Sequence, residues 1–479
     1  RNIRNQVFPL FGYEASQIII IYFNDILMLN SIYNIVMTIC ALSTGIGASG
    51  VAIIRISGPD TSYLIKALTN KSMPKPREAT LLELNNINNS KQIDQGIVLW
   101  FPAPKSYTGE DMAELHVHGS KAVVKELQET LLSTKKCRLA EPGEFTKLAF
   151  LNGKINLLQA EAIGDLIAAE TEIQMEQAQN IIKGKSFLKF NELREKLIKV
   201  LSKIEAKIDF PDEDLPSNVL DDVNKDVSII ENEIKKILLS YEIGERIRSG
   251  YKIAIVGPPN SGKSTLMNYL SKRNVAIVSD VAGTTRDVLQ TNLNFYGYPV
   301  IISDTAGIRD SKDLIEKEGI KLAFKKAEEA DLRIVVIEPK NVDFYGFLND
   351  LFNKNTILVI NKSDLNKFDV KDRLNKYDPI SVSFLKEKNI DELLDRIKKN
   401  LIKDMKFNDD VFVTRERHKN NLKECLINLQ NFKDKTESLD FDKGAEDLRL
   451  AQVSLGKIVG KVDVEAILGS IFNDFCIGK

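Results

Sequence analysis

The chain has 479 residues, 43% of them hydrophobic and 28% charged, a soluble composition able to bury several cores. Its 66 basic and 67 acidic residues leave a net charge of −1, which excludes a broad positive field as the means of holding nucleic acid, though not a local patch. The four cysteines (Cys40, Cys137, Cys425 and Cys476) stand far apart without metal-ligand spacing. With only three histidines besides, neither a zinc site nor a disulfide framework is expected, and a cytoplasmic location suits such sparse thiols.

In chain order, residues 1–36 form a leader that differs from the rest. Its run "SQIIIIYFNDILMLNSIYNIVM" is apolar but broken by Asn24, Asp25, Asn30 and Asn34, so a membrane anchor is not expected. Arg1 and Arg4 faintly resemble a transit peptide. The favoured expectation is that translation starts at Met37, directly before the strand-like "TICALS". Residues 37–153 mix strands ("GVAIIRISG", "AELHVHGS") with a Ser-capped helix, "SKAVVKELQETLLS", which predicts an α+β domain. Residues 154–248 are almost wholly helix formers until "PDEDLP" breaks them. From 249 to 403, apolar strands ("YKIAIVG", "YPVIISDTAG", "LRIVVIE", "NTILVIN") alternate with charged helices, the pattern of a doubly wound parallel sheet. Residues 404–479 return to helix and end in "FCIGK". The expected fold class is multidomain α/β plus all-α: an amino-terminal domain, then a helical domain interrupted by an inserted Ras-like P-loop domain.

That inserted domain opens with a strand and "GPPNSGKST", where Gly257, Gly262, Lys263 and Ser264 match G-x-x-x-x-G-K-[ST] in its required strand-to-helix context. Such a loop turns backbone N–H groups onto phosphates; Lys263 reaches the β and γ phosphates and Ser264 ligates Mg²⁺. Asn260, Ser261 and Thr265 belong to the same candidate loop. Next, "SDVAGTTRD" supplies Ser279, Asp280, Val281, Ala282, Gly283, Thr284 and Thr285, the last placed to close over Mg²⁺. "DTAG" follows an apolar strand with Asp304, Thr305, Ala306 and Gly307, an acid for the metal's water shell and a glycine N–H for the γ phosphate. Asn361, Lys362 and Asp364 follow "TILVI"; a carboxylate there accepts from two guanine N–H groups, which adenine lacks, so GTP is expected rather than ATP. The base loop is irregular, Ser381-Val382-Ser383 only approximating the usual Ser-Ala-Lys. Ile308 follows Gly307 and cannot polarise water, which leaves downstream acids as candidates. Of these Glu316 is the first choice, although residue chemistry alone favours a solvated helix acid there.

Over residues 38–479 the chain resembles the MnmE (TrmE) family of tRNA-modification GTPases. The resemblance rests on "YTGEDMAELHVHG", "EPGEFTKLAFLNGKINLLQAEAIGDLI", "GPPNSGKST", "VAGTTRD", "DTAGIR" and "FCIGK". It implies that the amino-terminal domain forms a homodimer and binds 5,10-methylenetetrahydrofolate or a formyl analogue through Arg55, Glu114, Lys154 and Lys479. It further implies K⁺ at Asn260, Ser279, Val281 and Thr284, a water-positioning role for Glu316, and a working thiol at Cys476. An MnmG-type partner carrying FAD would complete a heterotetramer that places an aminomethyl or carboxymethylaminomethyl group at C5 of the tRNA wobble uridine. Flavin is expected on the partner only. Ser120 stands where the family usually has glycine, and the leader has no counterpart. The rival reading is a regulatory GTPase switch of the ribosome-assembly type. A prenylated tail is disfavoured, since Gly478 is not aliphatic and Lys479 is a poor final residue.

Overall fold

The structure, a computed structural model, describes residues 37–209, 219–273, 275–276, 290–304, 325–339, 352–365, 374–406, 413–437, 440–462, 465–473 and 475–479. The leader expectations fall outside them. The chain folds as two compact units, one comprising residues up to 160 with 464–479, the other residues 161–463.

The first unit is built on strands β1 (Thr38–Leu42), β2 (Ser49–Ser57), β3 (Thr80–Asn85), β4 (Gln92–Phe101), β5 (Met112–Gly119) and β6 (Cys137–Leu139), in spatial order β3-β4-β5-β2-β1-β6. Every pairing is antiparallel except β1 with β6. Helices α1 (Thr61–Thr69) and α2 (Lys121–Ser133) bury Leu64, Ile65, Leu68, Leu127 and Leu131 against one face. Ser120 caps α2 by accepting a hydrogen bond from the Val123 amide at 3.1 Å, so the serine that departs from the family pattern is accommodated by an N-cap. On the opposite face α3 (Glu144–Leu151) inserts Phe145 between Ile39, Ala41 and Ala140.

Helix α4 (Leu157–Ile167) begins in the first unit and ends in the second, where α5 (Glu172–Ile182), α6 (Lys185–Asp209) and α7 (Val219–Ser249) lead into the P-loop domain. The burial of Phe190, Leu193, Leu197, Leu201 and Ile204 on α6 follows helical spacing. The inserted domain contains β7 (Tyr251–Val256), α8 (Lys263–Arg273), β8 (Val275–Ala276), β9 (Gln290–Phe295), β10 (Tyr298–Asp304), β11 (Leu332–Ile337), β12 (Thr356–Ile360), β13 (Ile380–Ser381) and α9 (Ile390–Asp404). Its strand order is β13-β12-β11-β7-β10-β9-β8, parallel from β13 to β10 and antiparallel beyond. Strand β7 is almost continuously buried, as a central parallel strand must be. Because β10 lies on one side of β7 and β11 on the other, the order reverses at its carboxyl end, where such sheets bind ligands.

Helices α10 (Glu416–Glu437) and α11 (Phe441–Val459) then pack on each other and on α6 and α7. The final helix, α12 (Glu465–Asn473), does not join that bundle. It buries Leu468, Ile471 and Phe472 against Leu157 and Ala160 in the first unit, so residues 404–479 span both units. Among the described residues no helix is long and apolar enough to cross a membrane.

Candidate functional site

The loop from Gly257 to Lys263 joins β7 to α8 at the switch point of the sheet. Gly257 has φ +153°, and a Cβ there would lie 2.0 Å from the Val336 carbonyl oxygen. Gly262 has φ +102°, and a Cβ there would lie 2.1 Å from Asn361 Nδ2. No side chain fits at either position, so close backbone approach explains both glycines. Lys263 is buried, its Nζ donating to the carbonyls of Gly257 and Pro258 at 2.8 Å each, which brings the ammonium back over its own loop. Ser261 is fully buried, and its Oγ has no hydrogen-bond partner among the described residues. Ser264 and Thr265 are exposed in the first turn of α8, where amides and helix dipole favour an anion.

The base-recognition loop is tied to this cradle. Asn361 donates through Nδ2 to the Ser261 carbonyl at 2.8 Å and accepts the Phe384 amide on Oδ1 at 3.2 Å. Lys362 Nζ donates to the Asn260 carbonyl at 2.9 Å and to Glu338 Oε1 at 2.5 Å. The hydroxyl of buried Ser383 holds the half-buried Asp364 carboxyl below the usual carboxylate range, so it is ionised and can accept from two N–H donors. In the irregular loop, buried Ser383 lies beside Asp364, and the Phe384 amide bonds Asn361. The Ser381 carbonyl accepts from Asn389 Nδ2 at 2.9 Å. Glu338 has no signature in the sequence, since an acid one residue beyond an apolar strand carries no signal until its partner is seen.

Asp304 closes β10 opposite Ile255. Ser279, Asp280, Val281, Ala282, Gly283, Thr284, Thr285, Thr305, Ala306, Gly307 and Glu316 lie outside the described residues.

A second constellation occupies the first unit. Arg55 and Glu114 are register partners on β2 and β5, joined at 2.8 Å and largely shielded from solvent. The rings of Tyr107 and Phe145 lie 5.6 Å from the guanidinium. His116 approaches the other Glu114 oxygen at 3.4 Å. Lys154 passes beside Gly109, whose Cβ would fall 3.1 Å from its Cε, so it joins the loop that carries Tyr107. The tail docks along the same edge. Arg55 is the register partner of Ala41, and the next residues, Leu42 and Ser43, receive Gly478. Ser43 Oγ donates to the Gly478 carbonyl at 2.9 Å, the Gly143 amide to the Cys476 carbonyl at 3.4 Å, and Pro142 bridges Ile477. Cys476 is exposed and Lys479 half-buried.

Helix α6 carries several lysines that face acids of α7. Lys189 and Lys196 pair with Glu233 of α7 at 2.7 and 3.0 Å, and Lys203 pairs with Asp226 at 2.9 Å.

A loop that admits only glycine at Gly257 and Gly262 and runs into a helix start suits a polyphosphate, and the Asp364 carboxylate suits a base with two adjacent N–H donors. The class these features define is the P-loop GTPase. Family models extend this to nearly the whole described chain, with the "GTP-binding protein TrmE N-terminus" matching residues 38–154 and the "MnmE helical domain" matching residues 157–476. A tRNA modification GTPase MnmE of Pelagibacter ubique (strain HTCC1062) is 59% identical over 443 residues, covering 92% of this chain and 100% of that protein. The protein of the same name from Wolbachia sp. subsp. Drosophila simulans (strain wRi) is 46% identical over 457 residues, covering 92% and 99%. Among solved structures, Aquifex aeolicus Era Y63A bound to GDP and aluminium fluoride is 33% identical over 31% of this chain and 56% of its own, with a TM-score of 0.25. The chain belongs to the MnmE (TrmE) family of tRNA modification GTPases.

Proposed function

We propose that the chain hydrolyses GTP in the cytoplasm to drive modification of tRNA. With an FAD-dependent MnmG-type partner it would install the aminomethyl or carboxymethylaminomethyl group at C5 of the wobble uridine, drawing carbon from a tetrahydrofolate donor. The observation that carries the reading is the docking of residues 475–479 within the first unit, on Ser43, Pro142 and Gly143, where β1 adjoins the strand that carries Arg55. A stand-alone switch has no use for a thiol delivered there.

The donor set fits the groups it would hold. The Gly257–Gly262 cradle and the orphaned Ser261 hydroxyl suit phosphate oxygens. Ser264 with Thr285 would hold Mg²⁺, which neutralises charge on the phosphates. Asn260, with Ser279, Val281 and Thr284, would hold K⁺, a fixed positive charge beside the phosphoryl group in transfer. Asn260 is in the described part of that set, kept at φ +61° with its carbonyl bonded to Lys362. Glu316 would orient the attacking water, since Ile308 offers no polar group. In the first unit the flanked Arg55 and the Glu114 carboxylate suit the anionic tail and the amide edge of a folate; Lys154 and Lys479 add positive charge. That site would operate in a homodimer, within a heterotetramer formed with the partner.

Reconstitution tests the reading. Purified chain, FAD partner, methylenetetrahydrofolate, GTP and undermodified tRNA should yield C5-substituted wobble uridine by mass spectrometry. GTP turnover without modified uridine, in the presence of a partner proven active with a related GTPase, would favour the regulatory switch.

A further inference from the structure

We propose that Glu338 is a positioning residue for guanine-nucleotide retention, acting through Lys362. Strands β11 and β12 are parallel neighbours whose last paired residues are Ile337 and Ile360. One step further the Asn361 amide still donates to the Ile337 carbonyl at 2.8 Å, so the two chain ends leave the sheet together at its ligand-binding edge. Glu338 leaves on β11 and Lys362 on β12, and their side chains meet at 2.5 Å. The carboxylate side chain is 17% exposed and the ammonium side chain 35%, so the pair is neither freely solvated nor sealed.

The same ammonium donates to the Asn260 carbonyl at 2.9 Å, so the stem of Lys362 spans from the base-recognition loop to the phosphate loop. A base held by Asp364 would pack along that stem. An unrestrained lysine would sample several rotamers, and ordering it on binding would cost side-chain entropy. Glu338 fixes the head before nucleotide arrives, with a charge-assisted bond stronger than a neutral one. Backbone conformation agrees: Lys362 and Asn260 have φ +60° and +61°, sparsely populated for side chains other than glycine, and such strain persists where surrounding contacts over-determine it. The bland alternative is an ordinary surface ion pair worth little. Its location separates the two, because its lysine also holds the phosphate loop.

The test is a double-mutant cycle on the full chain, read by release of fluorescent mant-GDP. Glu338→Ala should speed release about tenfold and raise the KM for GTP by a similar factor, with kcat at saturating GTP nearly unchanged. The isosteric Glu338→Gln keeps an acceptor and loses the charge, so about threefold faster release is expected; it also serves if the alanine variant folds poorly. In a Lys362→Met background, Glu338→Ala should add nothing further. Unchanged release in both Glu338 variants, or an equal acceleration in the Lys362→Met background, would overturn the proposal.

Discussion

Glu161 and His418 show how much electrostatic organisation a single buried pair can demand. Glu161 is 2% exposed; both its oxygens are bonded by Arg417, at 2.6 and 2.7 Å, and Oε2 also meets His418 Nε2 at 3.0 Å. Burial alone would raise the Glu161 carboxyl, but the facing His418 and Arg417 overcome it and hold the group well below the usual carboxylate range. Burial and then the Arg417 charge push the His418 imidazole down to about 4, against the opposing pull of Glu161 and with a further push from Arg415. The histidine is therefore neutral at pH 7, and Arg417 is the cation that keeps Glu161 ionised there. Between pH 6.5 and about 4 the unfolded chain binds a proton at His418 that the folded chain refuses, so stability is full above that window and lost as pH falls through it. Wild-type protein should lose about 2 kcal/mol more stability between pH 7 and pH 5 than His418→Gln, read from urea midpoints. Equal losses would mean that His418 takes its proton at an ordinary value. None of this was legible in "RERHKNNLKE", because the acid that defines the site lies 256 residues from Arg417 in sequence. The phosphate loop was legible for the opposite reason: its glycines, lysine and serine are contiguous and do their work through local backbone geometry.

At the scale of elements, the docked tail depends on one glycine. Gly478 has φ +93°, and a Cβ there would lie 2.2 Å from the Leu42 carbonyl oxygen. Gly478→Ala therefore meets backbone strain of about 1–3 kcal/mol and a clash with main chain that cannot step aside. The tail should lift, and the Gly143 amide, which donates to Cys476, should exchange with solvent faster. GTP turnover should be kept, because the phosphate loop belongs to the other unit, while modified uridine falls at least about tenfold in the reconstituted system. Cys476→Ser should give the same functional loss with the Gly143 amide still protected. If uridine modification survives both substitutions, the thiol is a bystander. The sequence marked this segment through its motif, but composition and periodicity assigned the final helix to the bundle. Helical spacing reports which face of an element is apolar, and the sequence alone does not say which neighbour will cover it.

Across the whole molecule, helical bundle and GTPase domain form one compact unit, and the reason lies where the chain crosses between them. Ile247 of α7 is fully buried in the same apolar core as Tyr251, Ile255 and Leu332, so the core does not stop at the boundary read near residue 249. Polar ties enclose it. Arg246 donates to Asp331 at 2.8 Å, Asp331 also accepts the Lys252 amide at 2.9 Å, and Tyr251 donates to Asp404 at 2.8 Å. On the returning chain Arg248 donates to the Thr414 carbonyl at 3.1 Å, beside Arg415, which pairs with Asp165 at 2.6 Å. Shared apolar burial and these polar ties predict that the two parts unfold together. Ligand linkage offers the measurement: GDP at about a hundred times its Kd stabilises whatever unfolds with its site by about 2.7 kcal/mol. In wild-type protein GDP should slow hydrogen exchange in α6 and α11, far along the chain from the phosphate loop. Arg246→Ala leaves the Asp331 carboxylate without its side-chain partner at the crossing, and GDP protection should then shrink in α6 and α11 while staying full in β7 and α8. Protection confined to the GTPase strands in wild type would show that the bundle opens independently. GTP binding would then have no stability route into the helical bundle.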